Sequence, residues 1–324
     1  MTYPILSILI LIASLFTGAN SSGYMVQSKM VSREISSSNM RGDLDVVAPA
    51  TGSGLQHWWR RSGSPLQPIS WNGPNYFGES VGKFSGSAAL IESKYNNLEV
   101  VARVDNQLMH FWREHGEWLK GPKFASGASG SPAMVPNKPG RDFELVVPLS
   151  SGGIGHYYRN DLAGNKWFGP VVFGKDFDYV NAVTLIKVND NTPGELEVIA
   201  RVGDTLHHFW YEDGGWHYDK QIATGVRGQP SLIQSSIGRE GNFELVSPLQ
   251  EGGLAHWYRD NKVPSKPWRG PNKFGDMRLY DDVSLIQRAE NPKIFNVIAR
   301  SKGITKAFSR NEERIWEPET APNL

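Results

Sequence analysis

The chain contains no cysteine. No disulfide can staple it, so 324 residues must be held by a sizeable core or a closed architecture. It also lacks an excess of either charge, with 34 Lys and Arg against 33 Asp and Glu. A general binder of nucleic acid or of an anionic membrane surface needs a basic excess or a basic face, which argues against both classes. Long helical periodicity is absent as well. One long apolar run occurs, Ile5 to Phe16, followed by small residues at Thr17 and Ala19. It is short for a bilayer span and suits a signal peptide over residues 1–19, although no Lys or Arg precedes it. The expectation is a secreted, extracellular protein whose mature chain does not insert into a membrane. A sequon at Asn20-Ser21-Ser22 falls at the cleavage point.

What is present is a repeat. Residues 141–161 read RDFELVVPLSSGGIGHYYRND and residues 241–261 read GNFELVSPLQEGGLAHWYRDN. A single Trp recurs at Trp71, Trp118, Trp167, Trp216, Trp268 and Trp316, at intervals of roughly 50 residues. A second marker agrees: LDVVAP starts at Leu44, LEVVAR at Leu98, FELVVP at Phe143, LEVIAR at Leu196, FELVSP at Phe243 and FNVIAR at Phe295. The copies end alternately in Pro and Arg, so the chain reads as three copies of a two-unit repeat.

Each unit divides into four short segments rich in Val, Ile and aromatics and bounded by Gly, Pro, Asn or Asp, which read as strands. Four strands per unit at this period are the signature of a β-propeller. The predicted fold is all-β: one six-bladed propeller of four-stranded antiparallel blades over residues 24–324. The small apolar strand is placed nearest the axis and the Trp strand outermost. The N-terminal strand is assigned to Tyr24–Lys29, with Met30–Arg41 as a loop. In this frame no strand is exchanged between the first and last blades; a shifted frame would exchange one.

Five of the eight histidines hold one repeat position, at His57, His110, His156, His208 and His256, with Lys306 taken as the sixth copy. Copies of one position lie a blade apart and do not converge on a metal, and no zinc spacing occurs. The motifs around them join an imidazole, two aromatics and a guanidinium: His57 with Trp59 and Arg60, His110 with Trp112 and Arg113, His156 with Tyr158 and Arg159, His256 with Tyr258 and Arg259. Unit four has Tyr211 where the others have Arg, and unit six departs from the pattern. Alternation puts His256 and Tyr258 on one face of the strand and Trp257 and Arg259 on the other. Two readings stay open. Aromatics in a propeller pack between blades, so His and Trp can be purely structural. An aromatic plate beside Arg and His donors also suits a sugar, whose C–H face stacks while its hydroxyls take the donors. The turns Gly152-Gly153 and Gly252-Gly253 either open room for such a ligand or are plain hairpin turns.

The second strand carries an acid at Asp45, Glu99, Glu144, Glu197 and Glu244. A glycosidase needs a carboxylate pair in one asymmetric pocket, whereas these are one per repeat. No nucleophile motif, phosphate loop or cofactor signature is found, and no cofactor is expected.

The six-fold array, the FELV second strand, the aromatic third strand and the repeated Trp resemble the β-propeller lectins, including the six-bladed fungal fucose-binding lectins. The strand order also resembles integrin-like propeller repeats, but their acidic calcium turn is replaced by SSIGREGN at Ser235–Asn242. The lectin resemblance implies several similar sugar sites between blades, each built from Arg, an acid and an aromatic, with fucose or an N-acetylated sugar as first candidates. The primary expectation is a non-enzymatic, multivalent carbohydrate-binding protein with glycans or glycoproteins as partners. An extracellular interaction or scaffold propeller is the first alternative, because fold does not decide function; a secreted glycan-active enzyme is the second.

Overall fold

A computed structural model describes residues 29–33 and 43–318, apart from 51, 61–70, 94–96, 139–140, 189–194, 264, 288–290, 292 and 302–303. The proposed signal peptide lies outside the described residues. Blade 1 contains β1 (Lys29–Arg33), β2 (Asp43–Pro49), β3 (Leu55–Arg60) and β4 (Trp71–Phe77). Blade 2 contains β5 (Phe84–Glu92), β6 (Leu98–Val104), β7 (Gln107–Glu114) and β8 (Glu117–Phe124), and blade 3 β9 (Ala133–Pro136), β10 (Phe143–Pro148), β11 (Ile154–Asn160) and β12 (Lys166–Phe173). Blade 4 follows with β13 (Ala182–Lys187), β14 (Leu196–Val202), β15 (Thr205–Glu212) and β16 (Gly215–Ala223). Blade 5 is β17 (Ser231–Gln234), β18 (Phe243–Pro248), β19 (Leu254–Arg259) and β20 (Trp268–Phe274). Blade 6 is β21 (Asp282–Gln287), β22 (Phe295–Ser301), β23 (Ile304–Arg310) and β24 (Trp316–Pro318).

Each blade is a separate four-stranded antiparallel sheet with its strands in chain order. First strands of successive blades touch one another, and β21 touches β1, which closes the ring. Because β1 pairs with β2 inside blade 1, no strand is exchanged between the first and last blades. One boundary is corrected. The first strand is Lys29–Arg33, with Val31 opposite Asp45; residues 24–28 of the expected strand lie outside the described residues. The near-duplicate Met-Val pairs at 25–26 and 30–31 allow either register in the sequence; pairing with β2 selects the second. Part of the expected Met30–Arg41 loop is therefore strand.

The apolar core lies between blades rather than within them. Five buried clusters straddle the five interfaces from blade 1/2 to blade 5/6; Val47, Leu55 and Phe77 of blade 1, for example, pack on Phe84, Leu90 and Phe111 of blade 2. A strand with two buried faces must be apolar on both, which explains why the second strands read as near-continuous runs of Val, Leu and Ile.

The repeated Trp joins the blades. Trp118 stacks on Phe77 of the preceding blade at 4.1 Å, Trp167 on Phe124 at 4.4 Å, Trp216 on Phe173 at 4.0 Å and Trp316 on Phe274 at 4.1 Å. In blade 4 the residue that would stack on Trp268 is Ala223, so that stack is missing.

Candidate functional site

Antiparallel register decides which side chains share a face. Glu144 stands opposite Tyr158 and Val146 opposite His156, so acid, imidazole and aromatic project from one face of blade 3. Phe143 stands opposite Arg159 on the other face. The first face looks toward the following blade and the second toward the preceding one. His156 and Arg159, adjacent in the motif, therefore serve different clefts, and so do His256 and Arg259. The four-residue motifs do not each build one site; each contributes halves of two.

On the first face every repeated His is buried and bonded to the acid of its own second strand. His57 Nε2 lies 2.8 Å from Asp45, His110 Nε2 2.7 Å from Glu99, His156 Nε2 2.8 Å from Glu144 and His256 Nε2 2.7 Å from Glu244, while His208 and Glu197 form the fifth pair. A carboxylate only accepts, so the imidazole N–H donates to it. Each ring also meets the Trp of the next blade edge-on, from His57 with Trp118 at 5.4 Å to His256 with Trp316 at 5.6 Å. In one copy the Trp216 indole N–H donates to His156 Nδ1 at 3.0 Å, which makes Nε2 the protonated nitrogen facing Glu144. The histidines thus have a packing role that orients the acids.

The acids are met across the cleft by arginines of the following blade. Arg159 donates to Glu99 at 3.1 Å and to Asp161 at 2.7 Å, lying 4.0 Å above the Phe143 ring. Arg259 donates to Glu197 at 3.0 Å and to Asn261 at 2.8 Å, lying 4.0 Å above Phe243. Arg113 lies 5.6 Å over the Trp59 ring of blade 1. The side chain of Arg60 lies outside the described residues. Between blades 3 and 4, where Tyr211 replaces Arg, the guanidinium comes from another place. Arg141, just before β10, donates to both oxygens of Glu144 at 2.6 and 2.9 Å and packs 4.3 Å over Tyr158. Spacing in the third strand gives no hint of Arg141.

Unit six is corrected. Ile298 pairs with Ala307 and Phe295 with Arg310, so Ala307, not Lys306, holds the His position and the Arg position is retained. Arg310 faces Glu244 of blade 5 at 3.6 Å. A sequence signal existed: Arg310 follows Phe295 by fifteen residues, as Arg113 follows Leu98.

The aromatic of each first face, Trp59, Trp112, Tyr158, Trp210 or Tyr258, stays partly exposed at its cleft. Between blades 5 and 6 the cleft is open, with a volume of about 90 Å³ and Glu244, His256, Tyr258 and Arg310 in its lining. Gly270 also lines it; with φ +131°, a Cβ there would sit 2.8 Å from the His256 carbonyl oxygen, so glycine lets β20 approach β19. The Gly152-Gly153 turn leads into β11, and the Gly153 N–H donates to the Phe177 carbonyl at 2.8 Å. Among the described residues no cluster of His, Asp or Glu is arranged to hold a metal ion, and no helix is long and apolar enough to cross a membrane.

Burial holds the His110 imidazole below its usual 6.5, although the Glu99 contact opposes the shift. Burial alone would raise the Glu144 carboxyl, but hydrogen bonds from His156 and Arg141 outweigh it and hold it below 4.5. Both shifts have the same sign for stability. Below pH 6.5 the unfolded chain binds a proton at His110 that the folded chain resists, and near and below pH 4.5 the same holds at Glu144. Stability should therefore rise with pH from about 4 to 7, as read by urea midpoints. In Glu144→Gln the slope near and below pH 4.5 should flatten; an unchanged slope would contradict the assignment.

No protein-family model matches the chain, and no curated protein matches it in sequence. Solved structures do match in shape. The BP39L lectin from Burkholderia pseudomallei aligns with a TM-score of 0.63 at 18% identity, over 91% of this chain and 83% of that one. The Aleuria aurantia lectin in complex with alpha-methyl-L-fucoside aligns at 0.65 and 12% identity, over 91% and 94%. AofleA from Arthrobotrys oligospora aligns at 0.64 and 11%, over 94% and 91%. At these identities the likeness is one of fold, and the chain shares the six-bladed β-propeller fold of the Aleuria aurantia lectin.

Proposed function

We propose that the protein is a secreted, non-enzymatic, multivalent carbohydrate-binding protein whose sugars lie in the clefts between blades. The observation that carries this reading is the open blade 5/6 cleft. There a partly exposed Tyr258 ring stands beside a carboxylate oriented by His256 and a guanidinium from the next blade. A flat ring for the C–H face, with an acceptor and donors at its rim, is what a pyranose requires. The same plan recurs around the ring with Trp59, Trp112, Tyr158 and Trp210 as plates. Arg113, Arg159 and Arg259 serve the cleft preceding their own blade, and His57, His110 and His156 orient the acids. Support also comes from the shared fold, since the Aleuria lectin was solved with a fucoside. A single shallow site would bind in the millimolar to high micromolar range, and useful affinity would come from several sites engaging one glycan-bearing surface.

The test is agglutination of glycan-coated beads by the purified protein. Replacing Trp59, Trp112, Tyr158, Trp210 and Tyr258 together by Leu keeps apolar burial but removes every plate. Agglutination should be lost while the thermal midpoint shows a folded protein. A folded five-site variant that still agglutinates would overturn this reading in favour of the interaction scaffold.

A further inference from the structure

The blade 5/6 cleft departs from the repeat in three places, and all three concern its arginines. The first is the state of Arg310. Two of its counterparts, Arg159 and Arg259, each use Nε to bond the residue two positions on, Asp161 or Asn261, and a terminal nitrogen to bond the acid of the preceding blade. The residue two positions after Arg310 is Glu312, which is turned away and held by Asn291 at 3.0 Å and Lys293 at 3.1 Å. The Arg310 side chain is 6% exposed, its Nε has no hydrogen-bond partner among the described residues, and it stays 3.6 Å from Glu244. Glu244 is meanwhile occupied by His256 at 2.7 Å and Ser235 at 3.3 Å. A nearly buried guanidinium that lines an open cleft, with the acid there held off at 3.6 Å, is placed to take an acceptor from outside.

The second departure is Arg269. It pairs with Tyr258 across the sheet, where the other described blades place Asn72, Leu119, Phe168 and His217 beside their aromatic plates. The third is Arg314, two residues before the repeated Trp, where blades 2, 3 and 4 have Gly116, Asn165 and Gly214 and blade 5 has Lys266. Three arginines and one carboxylate therefore line this cleft, with no second acid among its lining residues.

From this arrangement we infer that the blade 5/6 cleft selects an acidic sugar residue, its pyranose ring on Tyr258 and its carboxylate or sulfate on Arg310, Arg269 and Arg314. The inference rests on the reading of the clefts as sugar sites and adds the class of sugar. A neutral sugar would leave the excess positive charge uncompensated. An anionic group supplies the acceptor that Arg310 lacks and forms charge-assisted hydrogen bonds, which are shorter and stronger than neutral ones. The clefts at blades 2/3 and 4/5, whose arginines already hold an acceptor at Nε and an acid at a terminal nitrogen, carry no such preference.

The test is a glycan array printed as matched sets: the same oligosaccharide without an acid, with a terminal carboxylated sugar, and with a sulfate. Carboxylated or sulfated members should bind about tenfold or more above their neutral partners at low salt, and the margin should shrink as salt rises. Arg269 and Arg314 are exposed, so Arg269→Gln with Arg314→Gln should leave the fold intact and reduce the margin to about threefold or less, since exposed charge pairs contribute modestly each. Arg310→Gln should abolish what remains. The carboxylate and sulfate members show which anion is preferred. Neutral and acidic members bound alike, or a margin unchanged in the double variant, would overturn this inference and leave the carbohydrate reading standing. Binding to no glycan at all would overturn both.

Discussion

In Glu197→Ala, folding stability is expected to fall by about 3–5 kcal/mol, the range seen when one partner of a buried ion pair is removed. Glu197 is 2% exposed and joins two blades, taking the His208 imidazole from its own sheet and Arg259 from the next. Truncation leaves Arg259, itself 4% exposed, with Asn261 and the Phe243 ring as its main contacts. That guanidinium cannot neutralise by losing its proton, so it stays charged and poorly solvated. His208 is affected less, because its Nδ1 keeps Asp219 at 2.9 Å. Glu195→Ala is the internal control. Its carboxylate is 48% exposed and meets Lys138 at 3.4 Å, so its loss should cost below about 1 kcal/mol. Urea unfolding of both variants measures the difference. A Glu197→Ala loss no larger than the control's would mean that Arg259 finds water and that the blade 4/5 cleft is open.

The same pair shows what the sequence could and could not reveal. The acid and the His each recur at one repeat position, so their number and their faces followed from spacing and alternation. Their direct bond was less legible, since residues eleven or twelve apart meet only when the hairpin register is known. The partner of Glu197 is Arg259, more than sixty residues on. Only closure of the ring, with each blade's second face on its neighbour's first, brings these together. A motif read along one strand groups His256 with Arg259; the propeller separates them and pairs His256 with the side of Arg310.

Trp167→Ala carries the other large expected effect. Its indole is the joint between blades 2 and 3, stacked on Phe124 with 8° between planes and meeting His110 edge-on at 5.7 Å. It also packs against the cluster containing Leu145, Val147 and Tyr157. Truncation removes the stack and opens a gap between two sheets that the ring holds in place, so the site cannot collapse to fill it. Losses of about 3–5 kcal/mol accompany such aromatic truncations. Because Trp167 is only partly buried, the expectation lies toward the lower end of that range. Trp268→Ala gives the comparison. It meets His208 edge-on at 5.7 Å, but Ala223 stands where blades 1, 2, 3 and 5 supply a stacking Phe. Its loss should be smaller by about 0.5–1.5 kcal/mol, the contribution of an aromatic pair beyond its area. Equal losses at the two positions, read from urea midpoints at constant slope, would remove the stack from the account and leave burial alone as the bond between blades.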